Sequence, residues 1–195
     1  FDFSALYRQL KRRHGRPGEQ WRLWCKRPKE EHERQEVVIG AILTQNTNWK
    51  NVEYALRALK AAGCCSLARI AATPQSKLER LVRPSGFYRQ KSAALRELAG
   101  YILSRYGTCR RMADFNPKIL RQELLALRGV GPETADSILL YAADHPVFVI
   151  DAYTRSFLGA LGDRGYRAAY DILRARFESS LRRAYRLYQD YHALI

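Results

Sequence analysis

Residues 127–135 have the sequence Leu-Arg-Gly-Val-Gly-Pro-Glu-Thr-Ala. Gly129 and Gly131 allow positive φ angles and close backbone approach, and Pro132 suits the first turn of a helix. On both sides, apolar residues recur at helical spacing: Ile119, Leu120, Leu124 and Leu125 before, and Ile138, Leu139 and Leu140 after. The pattern therefore predicts a helix, a tight glycine turn and a second helix over about residues 118–143.

The start of the second predicted helix is a candidate anion site. Its first amides have no partner within the helix, and the helix dipole favours a negative charge at this end. An ordinary hairpin with a glycine cap explains the same residues equally well. Spacing alone leaves both interpretations open.

Helical spacing extends over almost the whole chain, and strict two-residue alternation over the length of a strand is absent. The sequence therefore predicts an all-α fold. With 195 residues, 47% of them hydrophobic, the chain can form one large domain or two small lobes that share a core. Residues 37–43 are apolar on all sides and predict a buried helix. The charged, turn-rich stretch 15–36 predicts a solvated connection between lobes.

The charge balance indicates a polyanionic partner. The chain has 34 Lys and Arg against 19 Asp and Glu, a formal net charge of +15. Charge alone favours a nucleic-acid enzyme no more than a ribosome-like or merely basic protein. No run of about 18 apolar residues predicts a membrane span. The chain begins at Phe1 without a signal-peptide pattern, so we expect a domain excerpt.

No metal site is predicted. The four cysteines (Cys25, Cys64, Cys65 and Cys109) have no ligand-like spacing, and reduced thiols inside a cell are the default expectation. His145 and His192 have no partner at ligand spacing, and we expect both at the surface or as helix caps.

Asp151 is the candidate catalytic residue. It lies 18 positions after Glu133 and directly follows the apolar run 147–150, so a carboxylate follows buried chain at a helix start. For an isolated Asp, a helix N-cap is the favoured explanation. The hairpin upstream adds the second interpretation, a catalytic carboxylate. We expect the helix end and local amides to keep it ionised, against the effect of its apolar neighbours.

The hairpin, Asp151 and two further loops together resemble the helix-hairpin-helix (HhH-GPD) DNA glycosylase superfamily. The loops are Leu-Thr-Gln-Asn-Thr at residues 43–47 and Pro-Ser-Gly-Phe-Tyr-Arg-Gln-Lys at residues 84–91. The resemblance covers about residues 37–162, with the motifs in the family's order. It is endonuclease III-like and most similar to the bacterial 3-methyladenine DNA glycosylase III branch.

The resemblance implies a two-lobed fold with the active site in the cleft between the lobes. Residues 37–146 would form a helical core lobe that contains the hairpin, and residues 1–36 and 147–195 would form the second lobe. It implies a monomeric, intracellular enzyme of base excision repair that acts on double-stranded DNA containing a damaged base. Asp151 would be the catalytic carboxylate.

Two departures from endonuclease III bear on the reaction. Where that enzyme carries the lysine that attacks the sugar, this chain has Glu133. The resemblance then implies a monofunctional glycosylase that uses water, with an alkylated purine such as 3-methyladenine as the favoured substrate. No cysteine follows Asp151, so we expect no iron–sulfur cluster within this chain, although such a loop would begin near its last residue. A monovalent cation at the hairpin is the one cofactor considered.

The resemblance also assigns residues that contact the damaged base. Trp49, Trp24 and Trp21 would line the base pocket together with Glu133, because electron-rich aromatic rings attract an electron-poor alkylated purine. Core packing is the alternative for each tryptophan, and it is the stronger alternative for Trp21 and Trp24.

Other assigned residues contact the DNA strands. Gln45 would fill the space left by the flipped base, and Phe87 would be the wedge against the opposite strand. A helix C-cap and a core aromatic are the respective alternatives. Phosphate contacts are assigned to the hairpin backbone and two basic side chains: Gly129, Val130, Gly131, Lys91 and Arg128.

Two other functions remain open. The enzyme could excise a mismatched or oxidised base instead, because lesion choice depends on pocket shape. The chain could also be a non-catalytic hairpin module that only holds DNA. Asp151 separates the two classes, because a binding module would tolerate Asn there.

Overall fold

The computed structural model describes residues 1–195 and confirms the all-α prediction. It contains twelve α-helices and no strand. The helices are α1 (Phe3–His14), α2 (Trp21–Trp24), α3 (Glu31–Leu43), α4 (Trp49–Ala61), α5 (Leu67–Ala72), α6 (Gln75–Val82), α7 (Tyr88–Tyr106), α8 (Pro117–Leu125), α9 (Pro132–Ser137), α10 (Ala152–Ala160), α11 (Tyr170–Ser180) and α12 (Tyr185–Leu194). None of them combines the length and the apolar character that crossing a bilayer requires.

The second half of α3 is the centre of the core. All seven residues from Val37 to Leu43 are buried, as their uninterrupted apolar character predicts. Helices α4, α7 and α9 pack against α3, and α5 and α6 pack against α7. Residues 44–48, which follow α3, are thereby held beside the hairpin.

The hairpin forms where the sequence predicts it. Helix α8 ends at Leu125, Pro132 is the first residue of α9, and Gly129 has a φ of +80°. Gly131 has a φ of −89°, so the expectation of a positive φ holds only for Gly129. Helix α9 then widens into a π-helical turn at Ile138–Ala142, which the apolar spacing does not predict.

The two ends of the chain lie together, because α1 packs against both α11 and α12. A single hydrophobic cluster of 45 buried residues runs from Phe3 to Tyr191 and includes the core helices. Lobe boundaries at residues 36 and 146 stay a prediction, because this cluster continues across them.

The prediction of a solvated connection over residues 15–36 is partly wrong. Trp24, Lys29 and Arg34 are buried, and α3 begins within the stretch, at Glu31. Arg34 donates hydrogen bonds to the Ala142 carbonyl (2.5 Å) and to Asp144 (2.7 Å). Burying a charge costs much less free energy when the charge is paired and hydrogen-bonded, as that of Arg34 is. A charged stretch of sequence can therefore lie inside the protein.

Replacing Gly129 should destabilise the hairpin. A Cβ at this position would lie 2.9 Å from the Cβ of Ala94, and the φ of +80° adds backbone strain. We expect Gly129→Ala to lower the free energy of unfolding by about 1–3 kcal/mol, measured by denaturant titration. Gly100→Ala in α7 is the matched control, because its Cβ would meet open space. It should raise stability by about 0.5–1 kcal/mol. Equal effects of the two substitutions would contradict the steric argument.

Candidate active site

Asp151 lies between the extended run 147–150 and the first turn of α10. It is the N-cap of that helix, and its Oδ1 accepts hydrogen bonds from the Thr154 amide (2.7 Å) and the Thr154 hydroxyl (2.8 Å). Its Oδ2 lies 3.4 Å from the Nε2 of His192. The N-cap and the catalytic interpretations are therefore compatible, because one oxygen caps the helix and the other does not.

The surroundings of Asp151 keep it ionised, as the sequence argument expected. Burial alone would raise the pKa of this carboxyl, but the charge of His192 and the hydrogen bonds from Thr154 lower it. The pKa of Asp151 falls from 3.8 to about 2. A carboxylate is therefore present at every physiological pH.

The prediction that His145 and His192 are surface or capping residues is wrong. His192 is only 7% exposed, and its Nδ1 lies 2.8 Å from the hydroxyl of Tyr141. His145 is also buried, with its Nε2 3.0 Å from the Met112 carbonyl. Sequence spacing missed both because their partners are distant in the chain and include a main-chain carbonyl.

Glu133 lies in the first turn of α9 and retains solvent access. The protein around it desolvates its carboxylate and thereby raises its pKa, and the charge of Asp151 raises it further. His192 and Arg155 act in the opposite direction. This electrostatic coupling places Glu133 in the field of the Asp151 carboxylate.

The three predicted pocket tryptophans form one connected cluster. Trp21 contacts the ring of His192 edge-on at a centroid distance of 5.3 Å, so it lies nearest to Asp151. Trp24 is buried and contacts Trp21 at 6.0 Å and Trp49 at 6.3 Å, each edge-on. Trp49 is half-buried, and its Nε1 donates a hydrogen bond to Glu53 (3.1 Å).

A cavity of about 520 Å³ lies beside this cluster. Trp24 and Trp49 form part of its wall, but Trp21, Glu133 and Asp151 do not. Four of its lining residues are glutamates and two are basic: Glu19, Glu33, Glu36, Glu53, Arg22 and Lys26. Three of the glutamates have basic partners, because Glu33 pairs with Lys26, Glu36 with Lys60 and Glu53 with Arg57.

Gln45 and Phe87 lie on two loops that flank the hairpin. Gln45 donates hydrogen bonds to the Gly129 carbonyl and the Thr134 hydroxyl, both at 2.9 Å, and so ties its loop to the hairpin. Phe87 is the N-cap of α7 with a φ of 44°, and it is 61% exposed. The alternative of a core aromatic is therefore wrong for Phe87. Its insertion into DNA stays a prediction, as does that of Gln45.

The hairpin backbone is open to a phosphate at two of the three predicted positions. The amides of Gly129 and Gly131 form no hydrogen bond within the chain, whereas the Val130 amide donates to the Leu127 carbonyl (3.2 Å). Val130 is also buried. The prediction that Val130 contacts a phosphate is therefore wrong. Arg128 is exposed beside the turn. A cation at the hairpin would use carbonyl oxygens, two of which already accept hydrogen bonds, at Leu127 and Gly129.

The prediction that Lys91 contacts a phosphate is wrong. Lys91 is only 2% exposed, and its Nζ donates hydrogen bonds to the carbonyls of Leu43 (2.8 Å) and Ser85 (2.6 Å). Burial lowers the pKa of Lys91 to about 8. The ammonium group joins the ends of the two loop segments, so it positions Gln45 and Phe87 rather than reaching solvent. Sequence patterns cannot predict these hydrogen bonds, because a residue of any type can supply a main-chain carbonyl.

Ion pairs around Asp136 fix the C-terminal end of α9. Asp136 is fully buried and accepts hydrogen bonds from two guanidinium nitrogens of Arg121 on α8, at 2.6 and 3.2 Å. Arg174 on α11 lies 3.8 Å from the same carboxylate. This cluster joins the hairpin to the C-terminal helices. The local sequence gives no signal for it, because α9 also contains Glu133, Thr134 and Ser137.

Comparisons with known proteins agree with this architecture. A family model described as "HhH-GPD superfamily base excision DNA repair protein" matches residues 39–183. The chain is 47% identical over 164 residues to an inferred DNA repair glycosylase of Methanocaldococcus jannaschii, a match that covers 83% of this chain and 74% of that protein. It is 29% identical over 126 residues to endonuclease III of Thermotoga maritima, covering 65% of this chain and 55% of that protein.

Among the similar solved structures is one that matches every part of this chain. It is the crystal structure of the H. pylori 3-methyladenine DNA glycosylase MagIII bound to 1,N6-ethenoadenine. The TM-score is 0.82 and the sequence identity 31%, and the match covers 100% of this chain and 95% of that chain.

Substituting Lys91 tests its position under the loops. We expect Lys91→Met to lower the free energy of unfolding by about 1–3 kcal/mol, because two buried carbonyls lose their donor. The slope of log affinity for DNA against log salt concentration should stay unchanged, since no phosphate contact is lost. The exposed Arg128→Met variant is the control, and it should reduce that slope by about one. A reduced slope for Lys91→Met would restore the phosphate-contact assignment.

Proposed function

Because this chain belongs to the HhH-GPD superfamily of base excision DNA repair proteins, and within it to the DNA glycosylases, we propose that it is a monofunctional glycosylase that hydrolyses the N-glycosidic bond of an alkylated purine. One observation carries this proposal, the ionised carboxylate of Asp151 at the start of α10. The reaction needs a negative charge beside the sugar on which positive charge develops.

The proposed chemistry follows from charge. As the bond between C1′ and the base nitrogen breaks, the bonding electrons leave with the base and positive charge develops on the sugar. The Asp151 carboxylate stabilises that charge and orients the water that attacks C1′. Water supplies oxygen to C1′, and its proton leaves to the carboxylate or to solvent. Oδ2 is the oxygen for this role, because Oδ1 accepts two hydrogen bonds from Thr154.

The absence of lyase chemistry is proposed from Glu133. A lyase needs an amine that attacks C1′ and forms a Schiff base. At the matching position of the hairpin this chain has Glu133, a carboxylate in the field of Asp151. Glu133 adds negative charge near the developing positive sugar, which supports hydrolysis by water.

An alkylated purine is the proposed substrate for two reasons. Alkylation leaves the purine electron-poor or cationic, and aromatic rings and carboxylates both attract such a base. Trp21 contacts His192 beside Asp151, and Trp24 and Trp49 continue the aromatic cluster from there. In addition, the similar H. pylori enzyme is a 3-methyladenine glycosylase with a bound ethenoadenine.

Duplex DNA is the proposed partner, so we place the enzyme with the DNA of the cell. The free amides of Gly129 and Gly131 fit a phosphate, and the exposed Arg128 adds a positive charge. The exposed ring of Phe87 and the amide of Gln45 are the proposed groups that hold the duplex open.

Asp151→Asn should abolish excision and keep DNA affinity. Asn is nearly isosteric and can still cap α10, but it carries no negative charge. We expect the single-turnover excision rate to fall by at least about a hundredfold, with the Kd for lesion DNA within about threefold of wild type. Ser156→Ala, an exposed position on the same helix, is the control. Equal excision by the Asn variant would overturn the catalytic role of Asp151.

Strand cleavage should depend on alkali. Duplexes containing 3-methyladenine, hypoxanthine, thymine opposite guanine or 8-oxoguanine are each incubated with the enzyme, with and without a later alkali step. Because position 133 holds no amine, we expect strand breaks only after alkali, and with the alkylated purine. Breaks without alkali would refute the argument from Glu133. Excision of only a mismatched or oxidised base would refute the substrate, and tight binding without excision would indicate a DNA-binding module.

A further inference from the structure

His192 has a buried ring nitrogen whose neighbour is the Asp151 carboxylate. Nε2 of His192 forms no hydrogen bond of normal geometry, and it lies 3.4 Å from the Oδ2 of Asp151. A buried polar atom without a partner is costly, so a structure retains it where it interacts with a charge. We propose that His192 is a positioning residue for Asp151, holding Oδ2 by its Nε2–H while Thr154 holds Oδ1. The inference rests on the proposed function of Asp151.

The hydrogen-bond pattern fixes which nitrogen of His192 carries a proton. An ionised carboxylate only accepts, so the Nε2 that faces Asp151 is the protonated one. At the other nitrogen, the Tyr141 hydroxyl lies 2.8 Å from Nδ1 and 3.4 Å from the Gln189 carbonyl. The hydroxyl can donate to Nδ1 of the neutral ring. It can instead accept from Nδ1 of the imidazolium and donate to Gln189. Nε2 therefore stays a donor towards Asp151 in both states.

The π-helical turn explains how Tyr141 reaches this position. A π-turn inserts one residue and rotates the following side chains relative to an α-helix. Tyr141 lies inside the turn at Ile138–Ala142, and it is fully buried against the last turns of α12. Burial raises the pKa of Tyr141 well above its ordinary value, so its hydroxyl keeps its proton.

Packing holds the imidazole ring in one orientation. Trp21 contacts it edge-on at 5.3 Å, and Phe148 contacts it edge-on at 6.4 Å. The ring cannot turn away from Asp151 without losing these contacts and the hydrogen bond to Tyr141. The carboxylate is thus fixed at both oxygens, which favours one approach to C1′.

Other charged groups also surround the pair. Those that act on Asp151, on Glu133 or on Tyr141 are Glu133 from α9, Arg155 from α10, Asp190 from α12, and Arg27 and Cys25 from the segment after α2. His192 is the first cause that lowers the pKa of Asp151. Without His192, burial would raise that pKa with less opposition.

The test compares His192→Ala and His192→Gln with wild type on the duplex that the enzyme excises. We expect His192→Ala to lower the single-turnover rate at least about tenfold, with KM within about twofold of wild type. The protonation of Asp151 is followed in the DNA-free protein by the ¹³C shift of its carboxyl against pH, because its pKa of about 2 lies below the range in which duplex DNA stays paired. This titration, the acidic limb of the pH profile, should move to higher pH in His192→Ala. The same shift should appear in a Glu133→Gln background, which removes the charge of Glu133. His192→Gln should restore most of the rate, because its amide nitrogen replaces Nε2–H.

Two controls separate positioning from general stability. His145→Gln alters the other buried interior histidine, and it should leave the rate and the acidic limb unchanged. Tyr141→Phe keeps the ring and removes only the hydroxyl, so it should move the rate in the direction of His192→Ala by a smaller factor. An unmoved acidic limb in His192→Ala, or a rate loss that His145→Gln reproduces, would overturn the inference.

A measurement without turnover keeps the two proposals distinguishable. Long-range ¹H–¹⁵N correlation spectra of the wild-type protein report the tautomer of each histidine ring. We expect His192 to carry its proton on Nε2 when neutral, and Nδ1–H in the neutral ring would overturn the positioning role. Full excision by Asp151→Asn would instead overturn the proposed function and, with it, the catalytic purpose of the contact.

Discussion

A negative charge that must persist in a largely buried place is the constraint around which this protein is organised. Asp151 follows buried chain, so desolvation opposes its ionisation. The first turn of α10 and His192 outweigh that cost. Both effects depend on the fold. Helix α10 must begin at Asp151, and α12 must place His192, which lies near the end of the chain, beside that carboxylate.

The hairpin has two separate physical tasks. Its turn presents the free amides of Gly129 and Gly131, which is a property of the backbone alone. Its second helix anchors the catalytic region from behind, through Asp136 at one point and through Tyr141 at another. The same short segment therefore presents two free amides on one side and orders the surroundings of Asp151 on the other.

A buried charge holds the two loops that carry Gln45 and Phe87. Lys91 donates to carbonyls at Leu43 and Ser85, and thereby fixes the loops that carry Gln45 and Phe87. Ammonium groups that hold carbonyls in place have a fixed geometry, which suits loops that must meet a duplex without first becoming ordered. The basic composition thus includes charges that never contact DNA.

Local sequence patterns predicted the all-α class, the hairpin with its positive φ at Gly129, the buried helix α3 and Asp151 as a capping carboxylate. These are local properties, set by apolar spacing and by residues with restricted backbone angles. Three further features emerged from the packing of the folded chain: the contact of His192 with Asp151, the burial of Lys91 and the π-turn at residues 138–142. Each of these depends on a partner far away in the chain or on a main-chain carbonyl, and neither leaves a periodic signal in the sequence.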